Sequence, residues 1–309
     1  MAKPRTRRRR VVTGYDGSDH SLQALEWAMD EAELRRLPLT VVHAWQWPYG
    51  ETGETGEIGG DTGDTGDRGR AAAGRVLGHG ADCARACSTI VEVATDLYEG
   101  PAARRLVELS ADAELVVIGS RGRNSPARSM IGSTASAVAV HARAPVIITR
   151  GAGPIPVPLH PGPVVLGLKD TTADEVLEFA FEEAALRRLR LLVMHAGHPR
   201  HLTAWGVAMA PLPDVDDSAR VCREWVDERL AGWQEKYPKV AVDVRLSTTA
   251  PKEALLDASA EATLLVIGAG RSALLSGHLG LITRSLVRHA SGPVAVVPPP
   301  RDPPGPAGP

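Results

Sequence analysis

The chain has 309 residues, of which 43% are apolar, and a formal net charge of −2. The length fits two domains of ordinary size, and the apolar content lets each domain bury a core. The near-neutral charge argues against a surface built to bind nucleic acid, and no apolar run approaches the length of a membrane-spanning helix. Three cysteines are too few to staple two domains, which favours a reducing compartment.

The amino-terminal residues 1–10 are strongly basic and end in four consecutive arginines. The segment has the charge of an export signal but lacks the apolar region, because Gly14, Asp16 and Asp19 interrupt the sequence that follows. We therefore expect a cytoplasmic protein, with no membrane contact, whose residues 1–10 form a solvated arm. Binding of this arm to nucleic acid or to another anionic surface is the alternative.

The two halves of the chain repeat one another in the same order, which predicts a tandem duplication. Three segments of the first half align without a gap with segments of the second half: 24–45 with 176–197, 115–123 with 264–272, and 141–150 with 289–298. The duplication predicts one domain at 11–152 and a second at 163–298. A linker with several prolines, 153–162, joins them, and a proline-rich tail follows at 299–309.

Short apolar runs alternate with helical patterns in each copy. The alternation predicts an α/β fold of two tandem doubly wound, Rossmann-like domains, each with a five-stranded, mostly parallel sheet flanked by helices. A helix with Leu22, Leu25 and Met29 on one face is expected to begin at Ser18 or Asp19. Residues 49–70, rich in Gly, Thr and acids, are expected to form a mobile surface loop. The strands expected in the first copy are 10–15, 38–45, 89–94, 114–120 and 144–150.

A glycine pattern follows the fourth of these strands: "GSRGRNSPARSMIGST" has Gly119, Gly122 and Gly132 in the spacing G-x2-G-x9-G-S-T. Ligands on parallel sheets bind beyond the carboxyl ends of the strands, and glycines there let the backbone approach a ligand. The helix that starts at Ser133 offers unpaired N–H groups to phosphate oxygens. A structural turn with a helix cap is the alternative, and Arg123 and Arg128 between the glycines are either phosphate ligands or solvated side chains.

This spacing resembles the ATP-binding signature of the universal stress protein family, and the resemblance extends over residues 11–150 and 163–298. It implies an ATP site in the first domain, with Mg²⁺ offsetting the phosphate charge. In that family the acid at the end of the first strand contacts the nucleoside, and a backbone position after the second strand's histidine touches the adenine. The positions that match the family's site are Asp16, Ala44, Gly119, Ser120, Arg121, Gly122, Gly132, Ser133 and Thr134. Asp16 also fits a plain turn residue before a helix.

The second copy departs from the pattern, so we expect its site to be degenerate. Either Leu168 or Lys169 replaces the acid, Arg271 replaces Gly122, and Leu281 and Ile282 replace the two hydroxyl residues. The resemblance further implies that the two domains pair within the chain through their last strands, as an intrachain pseudo-dimer. Whether whole chains form a homodimer stays open.

A nucleotide-dependent sensor or switch in the stress response is the first functional hypothesis, in which ATP orders the loops 120–132 and 48–72 and changes a surface for partners. The chain shows no catalytic triad or paired-carboxylate motif, so no catalytic residue is predicted. A slow ATPase or adenylyl-transfer enzyme and a nucleotide-independent dimerisation scaffold are the rival hypotheses. No metal site is predicted from His195, His198 and His201, because Pro199 interrupts the helix that would align them.

Overall fold

The computed structural model describes residues 9–46, 62–88, 90–122, 131–150, 161–196, 215–270 and 277–299, with only the backbone of 62–65 and 215–218. The chain divides into two compact units, Met1–Pro156 and Val157–Pro309. The division lies within 153–162, the segment predicted as the linker. Most of that linker, the arm 1–8 and the end of the tail lie outside the described residues.

The first unit is a five-stranded sheet with strand order β3-β2-β1-β4-β5, in which every neighbouring pair is parallel. Helices α1 and α2 contact each other, as do α3 and α4. The elements in chain order are β1 Val11–Gly14, α1 Asp19–Arg35, β2 Leu39–Trp45, α2 Thr62–Cys87, β3 Val93–Glu99, α3 Ala102–Leu109, β4 Leu115–Gly119, α4 Ser133–His141 and β5 Val146–Thr149.

The second unit repeats this order as β8-β7-β6-β9-β10, again with parallel pairs throughout. The predicted fold class, two tandem α/β domains with five-stranded parallel sheets, is therefore confirmed. Its elements are β6 Val164–Leu168, α5 Asp174–Arg187, β7 Leu191–Ala196, α6 Val215–Lys236, β8 Val242–Ser247, α7 Pro251–Ser259, β9 Leu264–Gly268, α8 Leu281–His289 and β10 Val294–Val297.

The strands β1, β4 and β5 are buried along almost their whole length, as the continuous apolar runs predict for strands covered on both faces. The helix α1 begins at Asp19, and Ser18 is its N-cap because its Oγ accepts a hydrogen bond from the backbone N–H of Ser21 at 3.2 Å. Of the two caps that the sequence allows, the structure thus selects Ser18.

The strand order reverses between β1 and β4 in the first unit and between β6 and β9 in the second. In doubly wound sheets this switch point opens a crevice beyond the carboxyl ends of the strands, where ligands bind. Gly14 ends β1 and Gly119 ends β4, so the residues that follow them, including Asp16 and Gly122, lie at this edge of the first unit.

Two sequence predictions in the first unit are wrong. The third strand covers Val93–Glu99 and not 89–94: the apolar Ile90 that suggested a strand is 79% exposed in a bend. Because β3 is the edge strand and half exposed, its polar sequence hid it from a search for apolar runs. The segment 49–70 is not a loop throughout, since α2 starts at Thr62. The alanine-rich sequence 71–87 nucleates a helix, and extending a helix costs far less than nucleating one. The rest of that segment lies outside the described residues.

Among the described residues, no helix combines the length and the apolar character needed to cross a membrane. No group of three or more His, Cys, Asp or Glu residues in the described part of the chain could hold a metal ion. His198 and His201, which the sequence analysis considered as metal ligands, lie outside the described residues.

Candidate functional site

Asp16 lies two residues past the end of β1, in the turn that leads into α1. Its Oδ1 accepts hydrogen bonds from the backbone N–H of Ser18 at 3.0 Å and from the Ser18 hydroxyl at 2.6 Å. The backbone N–H of Asp16 donates to Ser21 Oγ at 3.2 Å. These bonds are those of a turn residue before a helix. In these bonds the carboxylate accepts through Oδ1.

The second oxygen of this carboxylate faces Gly122. A Cβ atom built on Gly122 would lie 2.6 Å from Asp16 Oδ2, closer than real Cβ contacts allow. The acid after β1 and the glycine loop after β4 therefore meet across the switch point, although Asp16 and Gly122 are 106 positions apart in sequence. A side chain at position 122 would push the carboxylate away.

The strand β2 fixes the position of Asp16 and directs backbone groups toward it. The N–H of Tyr15 donates to the carbonyl of Val42 at 2.8 Å, and His43 donates its Nδ1–H to the carbonyl of Tyr15 at 2.7 Å. Backbone groups alternate between the two sides of a strand, so Val42 and Ala44 both direct their N–H and C=O toward the β1 side. Because β1 ends at Gly14, the backbone of Ala44 faces the region beyond the strand end.

Gly119 has a packing role that accounts for its lack of a side chain. A Cβ at this position would lie 2.6 Å from the carbonyl oxygen of His20, in the first turn of α1. The end of β4 thus touches the backbone of α1. Neither Gly119 nor Gly122 nor Gly132 adopts a positive φ angle, so a sharp turn does not explain them. Close approach accounts for Gly119 and Gly122, whereas a Cβ on Gly132 would meet only ordinary contacts. A contact between Gly119 and a ligand stays a prediction.

Two backbone hydrogen bonds close the glycine loop. The N–H of Gly132 donates to the carbonyl of Ser120 at 2.8 Å, and the N–H of Ser120 donates to the carbonyl of Thr149 at 3.0 Å. The start of α4 therefore lies next to the ends of β4 and β5. Residues 123–130 between these fixed points, with Arg123 and Arg128, lie outside the described residues.

The first turn of α4 lies at the same edge and receives no hydrogen bond from a cap side chain. Gly132 is the N-cap, and its φ of −64° and ψ of 152° are ordinary extended values. Ser133 and Thr134 open the helix, so their hydroxyls, the N–H groups of the first turn and the positive end of the helix dipole are together at one place. This is the chemistry that holds phosphate oxygens.

Two arginines follow the ends of β4 and β5. Arg121 lies two residues past β4, and Arg150 is the first residue past β5, in strands that pair Gly119 with Thr149. Burial lowers the pKa of the Arg150 guanidinium, and the positive charge of Arg121 lowers it further. The sequence analysis included Arg121 and missed Arg150. The repeat comparison could have found it, because the second copy has Pro298 at that position.

The helix α2 adds a cleft of about 370 Å³ beside Asp16, lined by Tyr15, Gly17, Arg75, Val76 and His79. The Tyr15 hydroxyl lies 2.7 Å from His79 Nδ1, and the two rings stack at 6.0 Å. Burial raises the pKa of Tyr15, and nearby Cys83 and Asp16 raise it further. The sequence analysis assigned no role to Arg75, Val76 or His79, which lie outside the predicted loop 49–70.

A larger open depression, of about 600 Å³, includes Arg36, Leu37, Pro38 and Glu92 in its lining. These residues precede β2 and β3, so the depression lies at the amino ends of the strands. The residues predicted for the site are at the other end of the sheet. The carboxyl edge is the better candidate site despite the larger size of the depression, because ligands of doubly wound sheets bind at the carboxyl ends of the strands.

The second unit keeps the backbone plan and changes the side chains. His195 donates its Nδ1–H to the carbonyl of Leu168 at 3.1 Å, as His43 does to Tyr15, so the residue equivalent to Asp16 is Lys169. The sequence analysis had left Leu168 and Lys169 open. Gly280 caps α8 as Gly132 caps α4. Where the first unit has hydroxyls, the second has Leu281 and Ile282, which are 78% and 42% exposed. Arg271 lies outside the described residues.

Comparison with known proteins matches both halves of the chain to the same family. The model of the universal stress protein family matches residues 7–150 and 162–298. A universal stress protein of Mycobacterium tuberculosis is 34% identical over 310 residues, which cover 96% of this chain and 99% of the relative. One of Mycolicibacterium smegmatis is 30% identical over 302 residues, covering 94% and 97%.

Among solved structures, a universal stress protein from Archaeoglobus fulgidus has the same fold, with a TM-score of 0.63 at 19% identity, over 94% of this chain and 96% of that one. The family model covers nearly the whole chain in two consecutive matches, and the bacterial relatives align from end to end. The chain belongs to the universal stress protein family, as a member with two tandem domains.

Proposed function

We propose that the first unit binds ATP, with Mg²⁺, at the carboxyl edge of its sheet, and that the bound nucleotide acts as a switch in the stress response. One observation carries the proposal: the Asp16 carboxylate, the side-chain-free Gly122 and the uncapped start of α4 come together at the switch point. The donor set fits a nucleotide, since a carboxylate accepts from ribose hydroxyls and a helix start binds phosphate.

Each residue has a task in this proposal. Asp16 Oδ2 accepts from the ribose, while Oδ1 keeps the turn in place through Ser18. The backbone of Ala44 pairs with the edge of the adenine ring. The phosphates bind the N–H groups that begin α4, together with Ser133 and Thr134. Mg²⁺, when bound, offsets part of the phosphate charge.

The switch follows from the way the loop is tied to the sheet. Gly122 and Gly132 flank the segment 123–130, and hydrogen bonds from Ser120 and Gly132 hold its two ends close together. A nucleotide that contacts Gly122 and the start of α4 favours the arrangement of these two elements that fits around it. Partners that bind this surface then respond to the nucleotide.

The test is a calorimetric titration of the full chain with Mg-ATP, beside a Gly132→Ala variant. The fold accepts this change, because a Cβ at Gly132 would meet its nearest neighbour, the Ser120 carbonyl oxygen, at an ordinary 3.5 Å, and φ is −64°. The new methyl group would stand where the phosphates approach. The matched control is Gly280→Ala, at the same position of the second unit, where nothing lies within 4 Å of the new atom.

We expect ATP to bind the wild type and the Gly280→Ala variant alike, and to bind the Gly132→Ala variant about tenfold or more weakly. Absence of ATP binding by the wild type would overturn the proposal and leave the nucleotide-independent scaffold as the better hypothesis. Equal binding by all three proteins would place the nucleotide somewhere other than the start of α4.

A further inference from the structure

We infer that Arg121 and Arg150 form a paired anion site that binds the distal phosphates of the nucleotide, so that the first unit favours a triphosphate over a monophosphate. The inference rests on the proposed function and adds to it a residue, Arg150, and a preference for phosphate number. Both residues follow the paired ends of β4 and β5.

The backbone brings the two arginines together. Gly119 and Thr149 are partners in the register of β4 and β5, and the N–H of Ser120 donates to the carbonyl of Thr149 at 3.0 Å. Arg121 and Arg150 follow within one or two residues of this bond. The Cα of Arg121 is also 3.6 Å from the place where a Cβ of Gly132 would lie. Arg121 therefore lies beside the start of α4, where the proposed phosphate site begins, and Arg150 follows the neighbouring strand β5 at the same edge of the sheet.

The charges of this pair repel each other. The guanidinium of Arg121 is close enough to lower the pKa of Arg150, whose partial burial lowers it more. An anion that lies between two like charges weakens their mutual repulsion. Guanidinium groups bind phosphate oxygens through two parallel hydrogen bonds, which makes an arginine pair well suited to a polyphosphate.

The second unit lacks both members of the pair. The register of β9 and β10 pairs Gly268 with Val297, which makes Gly270 the equivalent of Arg121 and Pro298 the equivalent of Arg150. The same unit also lacks the acid and the two hydroxyls of the first. The arginines are thus absent together with the other proposed nucleotide ligands, as expected if they serve one ligand.

The length of the ligand sets the expected selectivity. The start of α4 suffices for one phosphate group, and AMP has only one. ATP carries two more phosphates, which bring further negative charge to the arginines. Removing Arg150 should therefore weaken ATP binding and leave AMP binding nearly unchanged.

The experiment is calorimetric titration of the full chain with Mg-ATP and with AMP, at one fixed salt concentration. The variants are Arg150→Gln and Arg150→Lys, and the control is Arg143→Gln, an exposed arginine before β5 at the opposite edge of the sheet. Circular dichroism and thermal unfolding establish that each variant is folded. Arg150→Lys keeps the charge, so it gives an answer even if the glutamine at this partly buried position prevents folding.

We expect Arg150→Gln to lower ATP affinity about tenfold and AMP affinity less than about twofold, which corresponds to one charge-assisted hydrogen bond lost from ATP alone. Arg150→Lys should fall between the wild type and Arg150→Gln, and Arg143→Gln should match the wild type. Unchanged ATP affinity in both Arg150 variants, or equal losses for ATP and AMP, would overturn this inference and keep the proposed function. A wild type that binds neither nucleotide would overturn both.

Discussion

Asp16 Oδ2 faces Gly122 so closely that a Cβ there would lie 2.6 Å away, while Oδ1 of the same carboxylate accepts two hydrogen bonds from Ser18. The two oxygens have different neighbours, so the turn role and the ligand role of Asp16 are separable. The sequence allowed both roles and presented them as alternatives. The structure shows the turn role, through the bonds of Oδ1, and the ligand role stays a prediction.

Asparagine and alanine at position 16 should separate these roles. Asp16→Asn keeps an oxygen that accepts from Ser18, so we expect little loss of stability, but the negative charge toward Gly122 is gone. Asp16→Ala also removes the turn bonds and should lower the free energy of unfolding by about 1.5–3 kcal/mol, the range for hydrogen bonds to charged groups. Both variants should lose ATP affinity. Urea unfolding and calorimetry measure the two effects, and normal ATP affinity in Asp16→Asn would exclude a role for the charge in binding.

The glycines of the motif should differ in what they contribute to stability. Gly119→Ala places a methyl group 2.6 Å from the carbonyl oxygen of His20, a backbone atom that cannot move without α1. We expect a loss of about 1–3 kcal/mol in the free energy of unfolding, as for other overpacked positions. Gly132→Ala meets only ordinary contacts and should unfold like the wild type. Equal stability of the Gly119→Ala variant would mean that β4 and α1 separate easily.

A buried ion pair in α1 provides a stability test away from the site. The side chains of Glu31 and Arg35 are 0% and 4% exposed, their Oε2 and Nε lie 3.1 Å apart, and Trp27 donates its Nε1–H to Glu31 Oε1 at 3.0 Å. Arg35→Met removes the cation from a buried carboxylate and should cost about 3–5 kcal/mol. The exposed pair of Arg104 with Glu108 has the same i,i+4 spacing, so Arg104→Met is the control.

Urea unfolding at neutral pH measures this difference. We expect a clear shift of the midpoint for Arg35→Met and almost none for Arg104→Met, because solvent screens exposed pairs. The second unit repeats the buried pair as Glu183 and Arg187, with side-chain exposures of 0% and 11%. Equal midpoints for Arg35→Met and Arg104→Met would show that Glu31 is neutralised by other means.

The stability of the first unit should also depend on alkaline pH through Tyr15. Its pKa is raised in the folded state, so the fold favours the protonated phenol over the phenolate. A tyrosine in the unfolded chain titrates near pH 10, so the stabilisation is complete below about pH 10 and is lost as the pH rises toward the folded pKa. Tyr15→Phe does not titrate and should show a shallower decline between about pH 9 and 11.

The comparison requires unfolding curves of both proteins across this range. At pH 7, the free energy of unfolding of Tyr15→Phe should be lower than that of the wild type by about 1 kcal/mol, because the contact with His79 is lost. Parallel declines of the two proteins at alkaline pH would show that Tyr15 does not contribute to the pH dependence.

Elements that depend on local sequence could be predicted, whereas contacts between residues far apart in the chain could not. Apolar runs such as 115–118 predicted β4 because burial on both faces needs little besides apolar side chains. The edge strand β3 and the start of α2 were predicted wrongly, because an exposed edge strand can be polar and neighbouring residues can extend a helix. The packing of Gly119 on His20 joins residues 99 positions apart. No local pattern contains that contact, and the same holds for Arg121 beside Arg150.

The number of nucleotides bound per chain tests whether the second unit, which lacks the acid and the two hydroxyls of the first, also lacks a bound nucleotide. Lys169 brings a positive charge where Asp16 would accept from a ribose, and Leu281 and Ile282 replace the hydroxyls at the start of α8. We expect about one ATP per chain, since a binding site needs its polar groups and not only its backbone. Asp16→Ala should remove this binding, and Lys169→Ala should leave it unchanged. Two equivalent sites per chain, or a loss in Lys169→Ala alone, would contradict the assignment of the site to the first unit.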